Sequence, residues 1–277
     1  DAGEFFTGSR SISWPLACLS LIATETSAIT FVAVPAMVFF HRNATFLQMA
    51  FGYIIGRALV AWLLVPQIRR GSVTSVYEYI HTRTGPTAGA LTACVFLVTR
   101  CLADGVRLYV TALPLSLATG LSIPWSIAIT LAATTVYSLL GGIRGIVWID
   151  AIQLCIYLAG AVIAIAVMAG RIPDGFGAGL DRLWDEGIFR VFDFGFNLNG
   201  YTLWAGIIGG SAFSLASHGT DHLMAQRYLM VRTDADARKV LIGSGFFVLF
   251  QFALFLFLGA CLYALWPDAQ LADNNAV

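Results

Sequence analysis

Charge is scarce in this chain of 277 residues: only 12% of them are Asp, Glu, Lys or Arg. A soluble domain carries about 25%, so a water-soluble enzyme is excluded on that ground. The 16 basic and 16 acidic residues cancel to a formal net charge of zero. No basic excess is left to attract a phosphate backbone, which excludes a nucleic-acid binder. Motifs for phosphate cradling and nucleophilic attack are missing too. There is no P-loop, no Rossmann glycine pattern, no GxSxG and no evident active-site carboxylate pair. Cysteine is sparse. Cys18, Cys94, Cys101, Cys155 and Cys261 all lie in apolar runs and read as small core residues, not as disulfide or metal sites. No charged, apolar and small-residue leader opens the sequence at Asp1. The end, WPDAQLADNNAV, reads as mid-loop, so the chain is expected to be a piece of a longer protein.

What is abundant is apolar surface: 58% of the residues, with 20 Phe and 7 Trp. That load makes a lipid bilayer the natural solvent. Seven apolar stretches are long enough to span one, at about 11–40, 46–68, 87–118, 123–140, 149–170, 200–227 and 239–266. All are helical candidates, because barrel strands would be about half as long and would alternate. The sequence thus predicts an all-α polytopic membrane bundle. The connection 171–199 is mixed in charge and rich in glycine and aromatics, and reads as a surface loop with short helices. With the N-terminus placed in the cytoplasm, the inner loops hold Arg10, Arg69, Arg70, Arg83, Arg144, Arg227, Arg232, Arg238 and Lys239. The outer loops hold Arg42, Arg171, Arg182 and Arg190. Nine against four fixes the expected orientation in the cytoplasmic membrane. Between the second and third spans, Ser75 and Glu78 form an S-x-x-E box, and Gly85 with Pro86 ends what reads as an interfacial helix on the cytoplasmic face.

Ionisable groups within the spans are costly and therefore candidates for function. Glu25 sits among Thr24, Thr26, Ser27 and Thr30, with Pro35 further on. Those hydroxyls compete for backbone hydrogen bonds and the proline removes a donor. The stretch reads as a broken helix whose freed carbonyls can hold a cation, the plainer alternative being an ordinary kinked helix. Arg100, Asp104 and Arg107 share one face of the third span and leave one positive charge over, to be met by Glu25 or by an anionic ligand. The sixth span, with Gly206, Gly209, Gly210 and Gly219 and a polar face including Ser211, Ser214, Ser217, His218 and Thr220, reads as a second interrupted helix. His218 and His222 have the spacing of a zinc helix, but Gly219 stands where that motif needs Glu. Asp150, about one turn inside the cytoplasmic interface, is either a helix N-terminal acid or a way-station for a cation.

Four stretches resemble the sodium:solute symporter family. They are EFFTGSRSISWPLACLSLIATETSAITFVAVPA, RRGSVTSVYEYIHTRTG, VYSLLGGIRGIVWIDAIQ and GTDHLMAQRYLMVRTDADARK. The resemblance implies a five-plus-five inverted repeat of the LeuT type, here a single domain over 1–277 truncated to about seven helices. A leading helix would precede Asp1, and core helices eight to ten would follow Val277. It further implies sodium on the carbonyls of Ala23 and Thr26, and Asp150 at a second sodium site or exit route. Substrate contacts would fall at Glu25, Thr30, Gln48, Asp104, Arg107, Ser214, Ser217 and His218. Sugar-transporting members carry aromatics near the positions of Ser217 and His218, and the departure here argues against a sugar. A charged or zwitterionic solute is expected, because Glu25, Asp104, Arg107 and His218 surround the site. The expected partners are that solute, Na+ as coupling ion and the lipid bilayer, with no cofactor and no nucleic acid. Competing readings are a symporter-like sensor module of a signalling protein, an intramembrane hydrolase using His218 and His222, and a passive channel.

Overall fold

A computed structural model describes residues 11–70, 76–173, 175–196 and 200–267. Among the described residues the regular elements are helices, with one isolated parallel bridge between Ile12 and Val231. Helix α1 (Trp14–Glu25) begins with a proline in its first turn, where the missing N–H costs nothing. Helix α2 (Ala28–His41) follows at an angle of 67° after a two-residue gap. Helix α3 (Gln48–Leu59) passes through a π-helical turn, Val60–Leu64, into α4 (Val65–Arg70). Then come α5 (Val76–Thr84) and α6 (Pro86–Thr119). Gly85 joins these last two with φ at +99°, a backbone conformation suited to glycine. Ser75, one half of the expected capping box, lies outside the described residues.

Helix α7 (Ile123–Ala169) consists of two helical halves joined at a kink at Gly142, where φ is 51° and ψ is −162°. The two expected spans are its halves, Ile123–Ile143 and Gly145–Ala169. Helix α8 (Phe176–Asp185) occupies the long connection. Helices α9 (Leu203–Thr220) and α10 (His222–Leu229) are separated by Asp221, and α11 (Asp234–Leu265) closes the described chain. Among the described residues five helical segments, the two halves of α7 counted separately, are long and apolar enough to cross a membrane, and the bent α1–α2 pair makes six. The expected span at 200–227 is covered by α9 and α10, whose glycines, hydroxyls and histidines keep it out of that count.

Helix α11 is the post around which α1, α2, α3 and α7 gather. It buries apolar side chains from Val240 to Ala264, including Phe255 and Cys261. The opposite condition holds for α6 and α7, which expose Leu91, Leu102, Val106, Ile152 and Ile163. Such faces suit hydrocarbon rather than water. The cysteines divide accordingly. Cys18 and Cys261 are buried as expected, but Cys94, Cys101 and Cys155 face outward from these same helices.

The closest approach in the bundle is between α3 and α9. Each carries a G-x-x-x-G pair, Gly52 with Gly56 and Gly206 with Gly210. Small residues at that spacing let two backbones touch in a membrane, where packing replaces hydrophobic burial as the driving force. A Cβ on Gly206 would lie 2.7 Å from the Gln48 carbonyl oxygen, and one on Gly210 would lie 2.5 Å from that of Met49. The sequence reading treated these glycines as helix-weakening. The structure makes α9 continuous through them and places the interruption at Asp221 instead. Gly206→Ala in the full-length protein is therefore expected to cost about 1–3 kcal/mol, read as a lowered melting temperature in detergent. Gly209→Ala, whose Cβ meets open space, serves as the control and should leave stability unchanged or raise it by up to about 1 kcal/mol, the helix-propensity gain of alanine.

Candidate functional site

The break between α1 and α2 is the starting point. The last α1 hydrogen bond runs from Thr26 N–H to the Ile22 carbonyl at 2.9 Å, and the first of α2 from Phe31 N–H to the Ser27 carbonyl at 3.1 Å. The Ala23 and Thr26 carbonyls fall between these two. Among the described residues no backbone N–H takes them up. Ser27 N–H, which would bond Ala23 in a continuous helix, faces Thr30 Oγ1 at 3.4 Å. The hydroxyls read from the sequence as competitors for the backbone thus act at the break itself. Thr26 has a second tether: Gln251 on α11 donates its amide to Thr26 Oγ1 at 2.8 Å.

Glu25, the last residue of α1, is held on both carboxylate oxygens. Arg57 of α3 donates to Oε2, and His218 Nε2 of α9 lies 3.1 Å from Oε1. Arg57 and His218 are fully buried. Arg57 also donates to Ser244 Oγ of α11 at 2.9 Å. One carboxylate therefore ties four helices together at the break. Sequence reasoning assigned no role to Arg57, although a lone arginine in an apolar span must meet an acid elsewhere.

The Arg100–Asp104–Arg107 group forms on α6 as its spacing predicts. Arg100 Nε is 2.9 Å from Asp104 Oδ2, and Arg107 Nη1 is 3.7 Å from Asp104 Oδ1. The further acid is Asp221, whose Oδ2 lies 3.1 Å from Arg100 Nη1, and not Glu25. Asp221 also caps α10 by accepting from Leu223 N–H at 2.8 Å. Beside it, Tyr77 of α5 donates its hydroxyl to the Thr220 carbonyl at 2.9 Å. Burial, with the Asp221 carboxylate second, pushes the Tyr77 phenol up to about 12, so it stays a neutral donor at working pH. His218 and His222 fall on opposite sides of the α9–α10 break, and the helical i, i+4 face needed for a shared metal does not form. Among the described residues no cluster of three metal-ligating side chains occurs.

A cavity of about 650 Å³ lies between the α1–α2 break, α6, α9 and α11. Of the sequence-derived site residues, Glu25, Thr26, Thr30, Arg107 and Ser217 line it. The others lie outside its lining. Gln48 is fully buried, donating to the Tyr201 carbonyl at 2.7 Å and accepting from Asp193 N–H at 3.1 Å. Ser214 donates to the Tyr53 carbonyl at 3.1 Å. His218 backs Glu25, and Asp104 lies between the two arginines. Tyr53, Phe213, Gln251 and Phe252 join the lining unannounced by any sequence signal beyond their place in apolar runs.

Asp150 of α7 belongs to a separate cluster on the other flank of α1. Its Oδ2 accepts from Ser20 Oγ at 2.7 Å and from Arg227 Nη2 at 3.2 Å. Arg227 Nε is 3.3 Å from Thr24 Oγ1. Arg227, counted among the loop arginines in the sequence, is buried here against the acid it neutralises.

Two discontinuous helix pairs facing each other across a cavity, with unwound carbonyls at one break, define a secondary-transporter type of membrane bundle. The profile of the sodium:solute symporter family matches residues 5–186, and the chain belongs to that family. Sodium-coupled monocarboxylate transporter 2 of Homo sapiens is 28% identical over 270 residues, covering 96% of this chain and 43% of the relative. The Homo sapiens sodium/iodide cotransporter is 30% identical over 245 residues, covering 87% and 38%. The chain thus spans less than half the length of these curated relatives. A Na+-coupled sialic acid symporter, solved in a substrate-bound outward-open state, superposes with a TM-score of 0.87 at 22% identity. That match covers 96% of this chain and 56% of the other, and the likeness is one of fold. The LeuT-type class expected from the sequence is the one observed.

The Glu25–Arg57 pair is buried, so removing one partner leaves an uncompensated charge. Arg57→Met is expected to destabilise the protein by about 3–5 kcal/mol, and Arg57→Met combined with Glu25→Gln to recover more than half of that loss. Thermal unfolding of the four proteins of this double-mutant cycle in detergent checks it.

Proposed function

We propose that the whole protein performs sodium-coupled symport of a small organic solute carrying a carboxylate, either an anion or a zwitterion. The observation that carries this is the α1–α2 break, with two untaken carbonyls beside a cavity whose least engaged charge is Arg107. Sodium would sit on the Ala23 and Thr26 carbonyls, with further ligands from residues outside 1–277. Ordering the break in this way fixes Glu25 and Thr30 at the cavity wall and favours solute binding, a reciprocal coupling between two sites. Asp150, with Ser20 and Thr24 nearby, is a second stop for the cation on its way inward. The N-terminus of the chain lies on the cytoplasmic side, following the distribution of arginines.

The carboxylate preference follows from charge accounting around the cavity. Glu25 is occupied by Arg57 and His218, so it offers little to a solute cation. Arg100 is held at short distance by Asp104 and Asp221, whereas Arg107 keeps only the 3.7 Å contact and lines the cavity. A guanidinium so placed is suited to a carboxylate. The relatives named for monocarboxylates and for iodide are named for anions, which agrees with this reading.

Uptake of radiolabelled lactate into proteoliposomes carrying the full-length protein should depend on an inward sodium gradient. Arg107→Gln should raise KM about 10- to 100-fold, the loss of a hydrogen bond to a charged group. Asp150→Asn should raise the sodium concentration giving half-maximal rate. Lactate uptake that ignores sodium would overturn the coupling.

A further inference from the structure

Four aromatic rings that line the cavity touch one another in a row. Tyr53 of α3 stacks on Phe213 of α9, with ring centroids 5.6 Å apart and planes at 25°. Tyr53 also meets Phe252 of α11 edge to face at 6.0 Å. Phe252 meets Phe46, on the short helical turn Thr45–Leu47 before α3, at 5.4 Å. The backbones beneath these rings are tied together. Ser214, next to Phe213, donates its hydroxyl to the Tyr53 carbonyl, and Gln251, next to Phe252, holds Thr26 at the helix break. The wall is therefore formed before any solute arrives. Phe213 nevertheless keeps 59% of its surface uncovered.

Arg107 reaches the same cavity from another helix. It stands on α6, which packs on α2, α5 and α7. The cavity thus offers a guanidinium from α6 and an uncharged aromatic surface from α3, α9 and α11. A carboxylate without a tail engages only the guanidinium. The rings then stay wet, at a cost proportional to the apolar area left in water. An apolar tail displaces that water. An aromatic tail gains more, because rings favour offset-stacked and edge-to-face neighbours. Both arrangements already occur along this wall. The volume of about 650 Å³ leaves room for such a solute.

We propose that the ring wall is a tail subsite, so that the preferred solutes are carboxylates bearing an aromatic ring. The carboxylate lies on Arg107 and the ring against Tyr53 and Phe213, with Phe213 setting the preference. The proposal deepens the carboxylate reading above and rests on it.

The test is calorimetric binding of acetate, phenylacetate and phenylacetamide to the purified full-length protein at saturating sodium. Phenylacetate should bind about 10- to 100-fold more tightly than acetate, as burial of a phenyl ring requires. The neutral amide should bind at least about tenfold more weakly than phenylacetate. Phe213→Ala should cut the preference for phenylacetate over acetate about tenfold. Phe213→Leu, which keeps apolar bulk and serves if the alanine variant fails to fold, should cut it about threefold. Arg107→Gln should weaken both acids by a similar factor, which separates the anchor from the wall. Equal binding of acetate and phenylacetate, or the full preference in both Phe213 variants, overturns the tail subsite and leaves the carboxylate reading intact. Phenylacetamide binding as tightly as phenylacetate, or no binding of either acid, overturns the carboxylate reading and the tail subsite with it.

Discussion

The Glu25 carboxylate is the constraint on which the rest of this structure depends. An acid at the end of a membrane half-helix cannot be left alone in a low-dielectric interior. It is met by a guanidinium from α3 and an imidazole from α9, and the guanidinium is in turn fixed by a hydroxyl of α11. For those groups to converge, α3 and α9 must approach the break closely. That is why the glycine pairs of α3 and α9 face each other with no room for a Cβ at Gly206 or Gly210. The electrostatic requirement and the steric permission are two sides of one arrangement.

This arrangement also explains how unwound backbone survives at membrane depth. Freed carbonyls are tolerated where they line a cavity, and the α1–α2 break opens onto one. The break is pinned on one side by the Glu25 cluster and on the other by the Thr26–Gln251 hydrogen bond. Both ends of the gap are therefore fixed to other helices. Sliding the half-helices back into one continuous ladder would break the Glu25–Arg57 ion pair and the buried Thr26–Gln251 hydrogen bond.

Much of this was legible beforehand, for identifiable reasons. Hydropathy located the spans because their length is set by the bilayer. The hydroxyl cluster around Glu25 announced the first break, since local side-chain bonding competes with helix at that very spot. The kink before Asp150 falls at Gly142, the residue there that takes the positive φ. What was not legible were pairings between distant spans. The surplus charge on α6 could be counted from sequence, but Asp221 as its partner could not, because nothing local ties residue 100 to residue 221. Arg227 was assigned to a loop because it ends an apolar run, while in space it packs against Asp150. The glycines of α9 were misread for the same reason: a residue that weakens an isolated helix also permits the closest packing, and only the neighbour decides which effect counts.

The pairings missed from sequence have a common consequence. Asp104 and Asp221 are taken by Arg100, Glu25 by Arg57 and Asp150 by Arg227. A site that looked rich in acids is nearly neutralised within itself, and Arg107 is the guanidinium least committed to a protein acid. The charged residues assigned to the site suggested a charged or zwitterionic solute. That accounting of paired charges is what supports the proposed reading of a solute bound through its carboxylate, with sodium on backbone oxygen atoms. In that proposal cation and anion are bound by different chemistry, on different helices that face one cavity, and this gives a physical basis for coupling one to the other.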